Sequence, residues 1–484
     1  MYKLLLCWRY LKTRYLAIAC IISVMLGVAT LIVVNSVMSG FSTKLRDRLH
    51  GLLSDMVVES WGMEGFDDPQ GKMAQIRRDP FLGPRVVAMT ATQEVAAMIQ
   101  VEGGRARPVR VIGVEPEGRS AIGGFKEYLE RQKDAPVVSF ELSQEQKEAY
   151  QRRERLLLEM HEREMRMRMS PLGAPLGEGE LPPPAPTPAP VDEKGEMSVP
   201  CGVIVGHIMA HLRRKDENGV EQDIPHLKVG ESIVLTTISG QKMQPVAARF
   251  VVIDYFKSGM SDYDNGIVFV PLSYLQHLRT TPDNVTSIQI KLKDYSNAEE
   301  VKQVKAALHN LLARDNPFLQ VATWEDKQGP LLAAIGVEKS ILNILLFLIV
   351  GVAGFSILAI FTMIVAEKTR DIGILKALGA SNGGVMKIFL GYGLLLGLVG
   401  AALGSAIGLA ITRNINEVEH FVSKVTGQEV FPRDIYYFKE IPTDTQTSMV
   451  LFVNLGAIGI AVVFSILPAL RAAWLHPVRA LRFE

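Results

Sequence analysis

Few side chains in this sequence combine the types and the spacing that chemistry requires. His207 and His211 stand at i, i+4 spacing, as neighbours on one helix face would, but two ligands without a third make an incomplete zinc site, so we expect no metal. Gly71-Lys72 lacks the upstream glycine and the following Ser or Thr of a nucleotide-binding P-loop. No Ser-His-Asp, Cys-His or paired-carboxylate arrangement has recognisable spacing. These residues predict a chain that is not an enzyme and binds no cofactor itself.

One charged stretch stands between two apolar runs. It covers residues 367–381, EKTRDIGILKALGAS, and neither run beside it, 340–366 or 388–412, contains Asp, Glu, Lys, Arg or His. Because a charge at mid-bilayer costs about 3 kcal/mol or more, each run is expected to span a membrane. The short segment between them, 367–387, makes the two spans antiparallel neighbours.

The charged stretch has the pattern of a helix that lies along a membrane surface. Gly379 can end this helix, and Ser381 begins the turn into the next span. Charged residues keep the helix out of the hydrocarbon, and its rough apolar face consists of Ile372, Ile374, Leu375 and Leu378. On the residues alone, an ordinary solvated loop is an equally good interpretation.

The same stretch resembles a motif of known transporters. Its pattern is similar to the cytoplasmic coupling helix of four-span ABC permeases, the group that includes MacB, FtsX and the Lol lipoprotein-releasing permeases. In that group the helix docks on a partner ATPase, which binds ATP and magnesium. The resemblance implies ATPase-coupling roles for Glu367, Lys368, Arg370, Asp371, Ile374, Leu375, Lys376, Gly379, Ala380 and Ser381.

The first span is predicted over residues 15–38, after a basic segment, 1–14, that contains no acid. The apolar run is too long for a cleaved signal peptide, so we expect an uncleaved span with its N-terminus in the cytoplasm. Its end, VNSVMSGF, resembles the first span of LolC and LolE. Close helix packing through small residues and a substrate cleft are both open interpretations of Asn35, Ser36, Met38, Ser39 and Phe41.

Residues 39–339 contain no further span, and short β-like runs recur in them: 86–89, 110–114, 203–205, 232–237, 249–254, 267–270 and 286–292. Helical patterns occur at 297–313 and 208–213. We therefore expect a large α+β extracytoplasmic domain in two parts. Four of its stretches resemble Lol permeases, among them GVIVG at 202–206 and GMSDYD at 259–264.

An insertion at about residues 140–200 departs from the Lol pattern. Ser143 and Gln146 can form a capping box for a helix that runs to about Met169. The following tract, LPPPAPTPAP, cannot be helical and is expected to be an extended linker. We interpret the insertion as a mobile excursion from the domain, and a docking arm is the alternative.

The third span, residues 388–412, contains glycines at spacings of four, three, four and four, which put most of them on one side of the helix. Such a side lets another helix approach closely. These helix-packing residues are Gly393, Gly397, Gly400, Gly404 and Gly408.

An outer loop at 413–448, a fourth span at 449–470 and a tail at 471–484 complete the chain. The tail carries Arg471, Arg479 and Arg482, so both termini and the 367–387 segment are expected in the cytoplasm. Cys7, Cys20 and Cys201 would then lie inside, in the membrane and outside, which excludes an internal disulfide.

Composition agrees with this topology. The chain has 484 residues, of which 48% are hydrophobic and 21% charged, and its net charge is +1, which gives no support for nucleic-acid binding. The expected fold class is a polytopic α-helical membrane protein with four transmembrane helices and a large α+β domain between the first two.

The resemblance implies a permease subunit of a lipoprotein-releasing ABC complex in the bacterial inner membrane. Its partners would be a LolD-like ATPase, a second permease subunit, the lipoprotein substrate and a LolA-like periplasmic carrier. A MacB-like efflux permease without a fused ATPase is one alternative. An FtsX-like regulator of a periplasmic hydrolase is another, although FtsX-type chains usually have a smaller outer domain.

Overall fold

The computed structural model describes residues 15–60, 65–101, 104–168, 200–215, 221–240, 243–314, 316–427 and 440–476. The chain divides into two compact units. The span unit comprises Met1–Asp47 and Gly329–Glu484, and the domain comprises Arg48–Gln328. The predicted segment 1–14 lies outside the described residues.

Among these described residues, four helices are long and apolar enough to cross a membrane. They are the first span helix, Tyr15–Leu52, the second, Gly329–Glu367, the third, Asn382–Arg413, and the fourth, Thr447–Trp474. Each contains its predicted apolar run and extends beyond it. Hydropathy locates the boundary of the hydrocarbon, but charged residues can continue a helix beyond that boundary. The predicted spans are therefore shorter than the helices that contain them.

The predicted limits of the domain, 39–339, therefore need correction. The compact unit begins at Arg48 and ends at Gln328, because the flanking residues belong to the first and second span helices.

Two shorter helices lie between the spans. The predicted outer loop contains a helix, Ile415–Thr426. The coupling helix covers Thr369–Ala377.

Buried side chains from all four span helices form the core of the span unit. Val28 comes from the first helix, Phe361 from the second, Leu396 from the third and Ala461 from the fourth. Many large apolar side chains point outwards from the same helices; Phe355 and Phe452 are 63% and 75% exposed. This distribution is typical of helices whose outer faces contact lipid.

The described strands of the domain are β1 Met56–Ser60, β2 Val86–Val101, β3 Arg107–Val114, β4 Cys201–Gly206, β5 His211–Lys215, β6 Glu221–Pro225, β7 Ser232–Ile238, β8 Pro245–Phe256, β9 Ile267–Pro271, β10 Ser287–Leu292 and β11 Leu319–Thr323. Nine of them form one sheet of order β11-β1-β10-β2-β3-β9-β4-β8-β7, in which β7 also pairs with β2. β5 and β6 form a separate hairpin.

The extra pairing divides this sheet into two parts that share one long strand. β2, β3, β9, β4, β8 and β7 close into a ring, while β10, β1 and β11 continue from the other half of β2 as an open sheet. Separate clusters of buried apolar residues fill the two parts. The expectation of a two-part α+β domain agrees with this topology.

Each of the seven β-like runs coincides with a strand, and only the run at 286–292 begins one residue too early; β1, β5, β6 and β11 were not predicted. The domain helices are Pro69–Arg78, Pro116–Ile122, Gln144–Arg168, His207–Ala210, Ser261–Gly266, Leu272–Arg279, Ala298–Leu312 and Trp324–Lys327, with 3₁₀ turns at Gly83–Arg85 and Lys126–Tyr128. The predicted helix at 208–213 was too long. A single turn ends at Ala210, and β-hairpin pairing with Pro225 begins at His211.

The insertion begins inside the domain core. The predicted capping box is confirmed: the Ser143 backbone N–H donates to Gln146 Oε1 at 2.8 Å, and the Gln146 N–H donates to Ser143 Oγ at 3.3 Å. Phe140 and Tyr150 are buried, so the first part of the insertion is packed and is not an excursion. The Pro-rich tract lies outside the described residues.

Candidate functional site

The coupling helix ends in a Schellman motif. The Ala380 N–H donates to Leu375 O and the Gly379 N–H donates to Lys376 O, both at 3.0 Å. Gly379 has a φ of +95°, a conformation that glycine adopts at little cost. Ser381 then caps the third span helix by accepting a hydrogen bond from the Gly384 N–H at 3.1 Å. The predicted roles of Gly379 and Ser381 in this turn are confirmed.

The apolar residues of the coupling helix point in two directions. Ile372 is 2% exposed and belongs to the core of the span unit. Ile374 and Leu378 are 44% and 81% exposed, and together with exposed Arg370 they stand at i, i+4 spacing on one outward face. We call Arg370, Ile374 and Leu378 the outward face. The sequence predicted one apolar face and did not separate its buried from its exposed residues.

Lys376 connects the coupling helix to the fourth span helix. Its ammonium group donates hydrogen bonds to the carbonyl oxygens of Ala473 and Leu475, each at 2.6 Å. These carbonyls belong to the last turn of that helix, where backbone acceptors lack intrahelical donors and the macrodipole favours a cation. The sequence did not predict this contact, and the ATPase-coupling role of Lys376 stays a prediction.

A groove lies between the coupling helix and the second and third span helices. Lys368 and Asp371 form an ion pair at i, i+3 spacing on its border. Ile364, Phe389 and Tyr392 contribute to its apolar wall. Since Lys368 and Asp371 are partly exposed, their attraction stabilises the helix only slightly. Glu367, also predicted to couple, is exposed at the end of the second span helix.

The five glycines of the third span helix face two different helices. A Cβ atom at Gly393 or Gly397 would meet Ser465 or Ala461 of the fourth span helix. At the three other positions the added atom would meet the first span helix. Those positions are Gly400 against Val24, Gly404 against Met25 O at 2.7 Å, and Gly408 against Ala29.

The polar residues near the end of the predicted first span contact the segment that precedes the fourth span helix. Ser36 is fully buried; its carbonyl accepts from the Asp444 N–H at 2.9 Å, and its hydroxyl accepts from Thr445 Oγ1 at 3.2 Å. Ser39 Oγ donates to Asp444 Oδ2 at 3.4 Å. A Cβ atom at Gly40 would lie 2.5 Å from Pro442 O.

The remaining residues of the predicted substrate cleft are half-buried. The Asn35 amide donates to Leu31 O of its own helix at 3.1 Å, and Met38 and Phe41 are neither buried nor fully exposed. A small cavity is lined by residues of the first, second and fourth span helices, including Gly27 and Val350. The substrate-cleft role stays a prediction.

Two of the Lol-like stretches meet in the domain. Asp264 is buried and accepts hydrogen bonds from the Ser258 N–H at 2.8 Å, Ser258 Oγ at 2.6 Å and the Gly259 N–H at 3.0 Å. Burial raises the pKa of Asp264, although these donors oppose the rise. Gly206 packs directly on the backbone of Asp264, where a larger residue would overlap its carbonyl. GVIVG and GMSDYD thus form one structural unit.

His207 and His211 lie beside a third potential ligand that the sequence analysis did not find. One ring nitrogen of each and a carboxylate oxygen of Glu130 lie within 4.8 Å of one another. Burial lowers the pKa of His211. Burial also acts to raise the pKa of Glu130, but the adjacent His207, together with Lys257 and His211, lowers it overall. No pattern in the sequence connects Glu130 to the histidines.

Comparison with known proteins gives one family and several relatives. The family described as FtsX-like permease C-terminal matches residues 343–477. The lipoprotein-releasing system transmembrane protein LolC of Xylella fastidiosa is 26% identical over 98% of this chain and 97% of that protein. LolE of Haemophilus influenzae is 29% identical over 54% of this chain and 63% of that protein. The macrolide export ATP-binding/permease protein MacB of Neisseria gonorrhoeae is 24% identical over 55% of this chain and 39% of that protein.

Proposed function

We propose that this chain, which is similar to the LolC/LolE-type permeases of the wider MacB- and FtsX-like group, is the permease subunit of an ABC transporter that releases lipoproteins from the bacterial inner membrane. The observation that carries this proposal is the end-to-end similarity to a LolC protein, which covers 98% of this chain and 97% of that relative. Similarity to MacB covers only 39% of that protein, and so favours macrolide export less.

The proposed ATPase contact is the outward face of the coupling helix. Ile374 and Leu378 expose apolar side chains next to Arg370, a combination that suits a pocket lined by apolar and acidic residues on a partner subunit. The buried side of the same helix, represented by Ile372, packs into the span unit. A displacement of the outward face would therefore be transmitted to the span helices through packed side chains.

Lys376 provides a second connection through which this displacement can reach the span helices. Its hydrogen bonds to Ala473 and Leu475 join the coupling helix to the end of the fourth span helix, and Ser381 begins the third. Displacement of the coupling helix would move the second, third and fourth span helices as a group. This shared attachment supports a mechanism in which ATP-driven closure shifts nearly rigid helices.

Lipoprotein release requires such an energy source. Each CH₂ group that leaves the membrane costs about 0.8 kcal/mol, so an acylated substrate does not leave spontaneously. We propose that the domain faces the periplasm, where it passes the substrate to a LolA-like carrier. A second permease copy or a related permease completes the complex with two ATPase subunits.

Membrane fractionation after depletion of this protein tests the proposal. Lipoproteins destined for the outer membrane are expected to accumulate in the inner membrane, and re-expression of the wild-type chain should restore their delivery. Normal lipoprotein delivery during depletion, with the loss of a different secreted or cell-wall activity, would instead support an export or regulatory role.

A further inference from the structure

His207 is the central residue of a polar cluster on the domain. It is only 5% exposed, and its Nδ1 atom lies 2.8 Å from Glu130 Oε1. Within the part of the chain that the structure describes, this Nδ1 atom nevertheless makes no hydrogen bond of acceptable geometry. A buried polar nitrogen without a hydrogen bond is costly and uncommon. Two ligand atoms placed side by side in this way are suited to sharing one cation.

His211 presents a nitrogen to the same cluster. Its ring stacks on that of His207 with centroids 4.0 Å apart and planes 18° apart. Its Nδ1 atom lies 2.9 Å from the carbonyl oxygen of His207. Since a carbonyl only accepts, Nδ1 carries the hydrogen, and Nε2 of the neutral ring keeps its lone pair for a metal ion.

Two further charged residues surround His207. Asp223 Oδ2 lies 3.3 Å from His207 Nε2, where a carboxylate can orient a metal-binding imidazole through its other nitrogen. Lys257 Nζ lies 3.2 Å from the same Nε2 atom and 3.6 Å from Glu130 Oε1. Lys257 thus places its positive charge beside the carboxylates of Glu130 and Asp223, whose negative charge a bound metal ion would otherwise balance.

We infer that Glu130, His207 and His211 bind a zinc ion, with Asp223 as the carboxylate that orients His207. Two imidazole nitrogens and one carboxylate oxygen are the protein ligands of a three-ligand zinc site, whose fourth position is open to water. Ligand atoms about 2.0–2.1 Å from a tetrahedral ion lie about 3.3 Å apart. In this structure the ligand atoms of Glu130, His207 and His211 lie within 4.8 Å of one another, so only a small side-chain movement would bring all three to the ion.

The ion would join three separate segments of the domain. His207 directly follows β4, His211 begins the β5–β6 hairpin, and Glu130 follows the 3₁₀ turn at Lys126–Tyr128. Because the hairpin pairs only with itself among the described strands, a zinc ion would fix the start of the hairpin to the main sheet. This role does not depend on the proposed function in lipoprotein release.

Zinc binding by the full chain, purified in detergent without a polyhistidine tag, tests the inference. After equilibrium dialysis against zinc chloride and removal of free metal, the wild-type chain should retain about one zinc per chain by elemental analysis. His211→Ala and Glu130→Gln should retain at least tenfold less at the same free zinc concentration. His309→Ala is the matched control, because His309 is exposed on Ala298–Leu312, away from the cluster.

Two additional variants separate a metal site from a purely electrostatic cluster. Asp223→Asn should weaken zinc binding by about 10–100-fold, as loss of a carboxylate that orients a ligand usually does. Lys257→Met should strengthen it by about tenfold, because the competing positive charge is removed. Equal zinc content in the wild-type, His211→Ala and Glu130→Gln chains, whether at zero or at one, would overturn the inference.

Discussion

The ammonium group of Lys376 lies 2.6 Å from the carbonyl oxygens of both Ala473 and Leu475, and so joins the coupling helix to the end of the fourth span helix. Hydrogen bonds from a charged donor each contribute about 1.5–3 kcal/mol. The arrangement also places a cation at the negative end of a helix macrodipole. Lys376 is therefore a structural connection, whereas Arg370, Ile374 and Leu378 remain available to a partner.

Substitution of Lys376 should uncouple the two helices without removing the ATPase contact. Lys376→Met keeps the apolar stem and removes both hydrogen bonds, so we expect the free energy of unfolding to fall by about 1–3 kcal/mol. Co-purification of the ATPase should persist, while lipoprotein release falls. Thermal denaturation in detergent measures the loss of stability, and membrane fractionation measures the loss of lipoprotein release. Lys387→Met, at an exposed position early in the third span helix, is the control. Identical release by both variants would contradict the connecting role.

The outward face of the coupling helix should bind the ATPase. Ile374→Glu or Leu378→Glu places a charge in the expected apolar contact, and either should reduce ATPase co-purification by about tenfold or more. Arg370→Glu should act in the same direction. Because these side chains are exposed, thermal stability should not change.

Val425→Glu provides the matched control for this surface. Val425 is 70% exposed on Ile415–Thr426, in the segment expected on the opposite side of the membrane. Asp371→Lys is less selective because Asp371 pairs with Lys368, and Gly379→Pro disrupts the Schellman turn as well as any contact. ATPase recovery that is equal for Ile374→Glu, Leu378→Glu and Val425→Glu would rule out docking on this face.

Gly404 should be intolerant of even one additional methyl group. A Cβ atom there would lie 2.7 Å from Met25 O and 2.8 Å from Val28 Cβ on the first span helix. We expect Gly404→Ala to lower the stability of the span unit by about 1–3 kcal/mol, as overpacking does. Gly456→Ala, which meets nothing within 4 Å, should be neutral or slightly stabilising. Thermal denaturation of both variants in the same detergent compares them, and equal midpoints would contradict the packing role.

Local patterns predicted the features that depend on neighbouring residues in the sequence. Uncharged runs located the four span helices, short β-like runs located seven strands, and Gly379 and Ser381 marked the turn after the coupling helix. Each of these signals is contained within one segment. The predicted helix ends were misplaced because hydropathy does not report backbone hydrogen bonding.

Features that depend on distant residues were not predictable in the same way. The partners of Lys376 are carbonyl oxygens of Ala473 and Leu475, and a backbone acceptor leaves no trace in residue type. Glu130 joins His207 only through the fold of the domain. The glycine pattern did indicate close packing, but the change of partner from the fourth to the first span helix follows from helix crossing, which spacing alone does not encode.

The buried carboxylate of Asp55 should make the stability of the domain depend on pH. Asp55 Oδ1 accepts from His50 Nε2 at 2.6 Å and Lys291 Nζ at 2.9 Å, and Oδ2 accepts from the Leu292 N–H at 2.7 Å. Burial acts to raise the pKa of Asp55, but these three donors outweigh burial and lower it below its ordinary value. A lowered pKa in the folded state means that the ionised group stabilises the fold.

This stabilisation should be complete above about pH 4–5, where Asp55 is ionised in both states, and should disappear as pH falls through the folded-state pKa. Asp55→Asn should lower the free energy of unfolding by about 1–3 kcal/mol at pH 7, because the partly exposed Lys291 ammonium loses its charged acceptor. The difference between wild type and variant should narrow steadily below pH 4. Urea denaturation of the full chain at each pH measures the free energy of unfolding of both proteins; it is followed by tryptophan fluorescence, to which Trp324, whose ring stacks on His50, contributes. Asp262→Asn, at an exposed carboxylate, is the control. A difference between wild type and Asp55→Asn that stays constant from pH 7 to pH 3 would show that the ionised carboxylate is not what stabilises the domain.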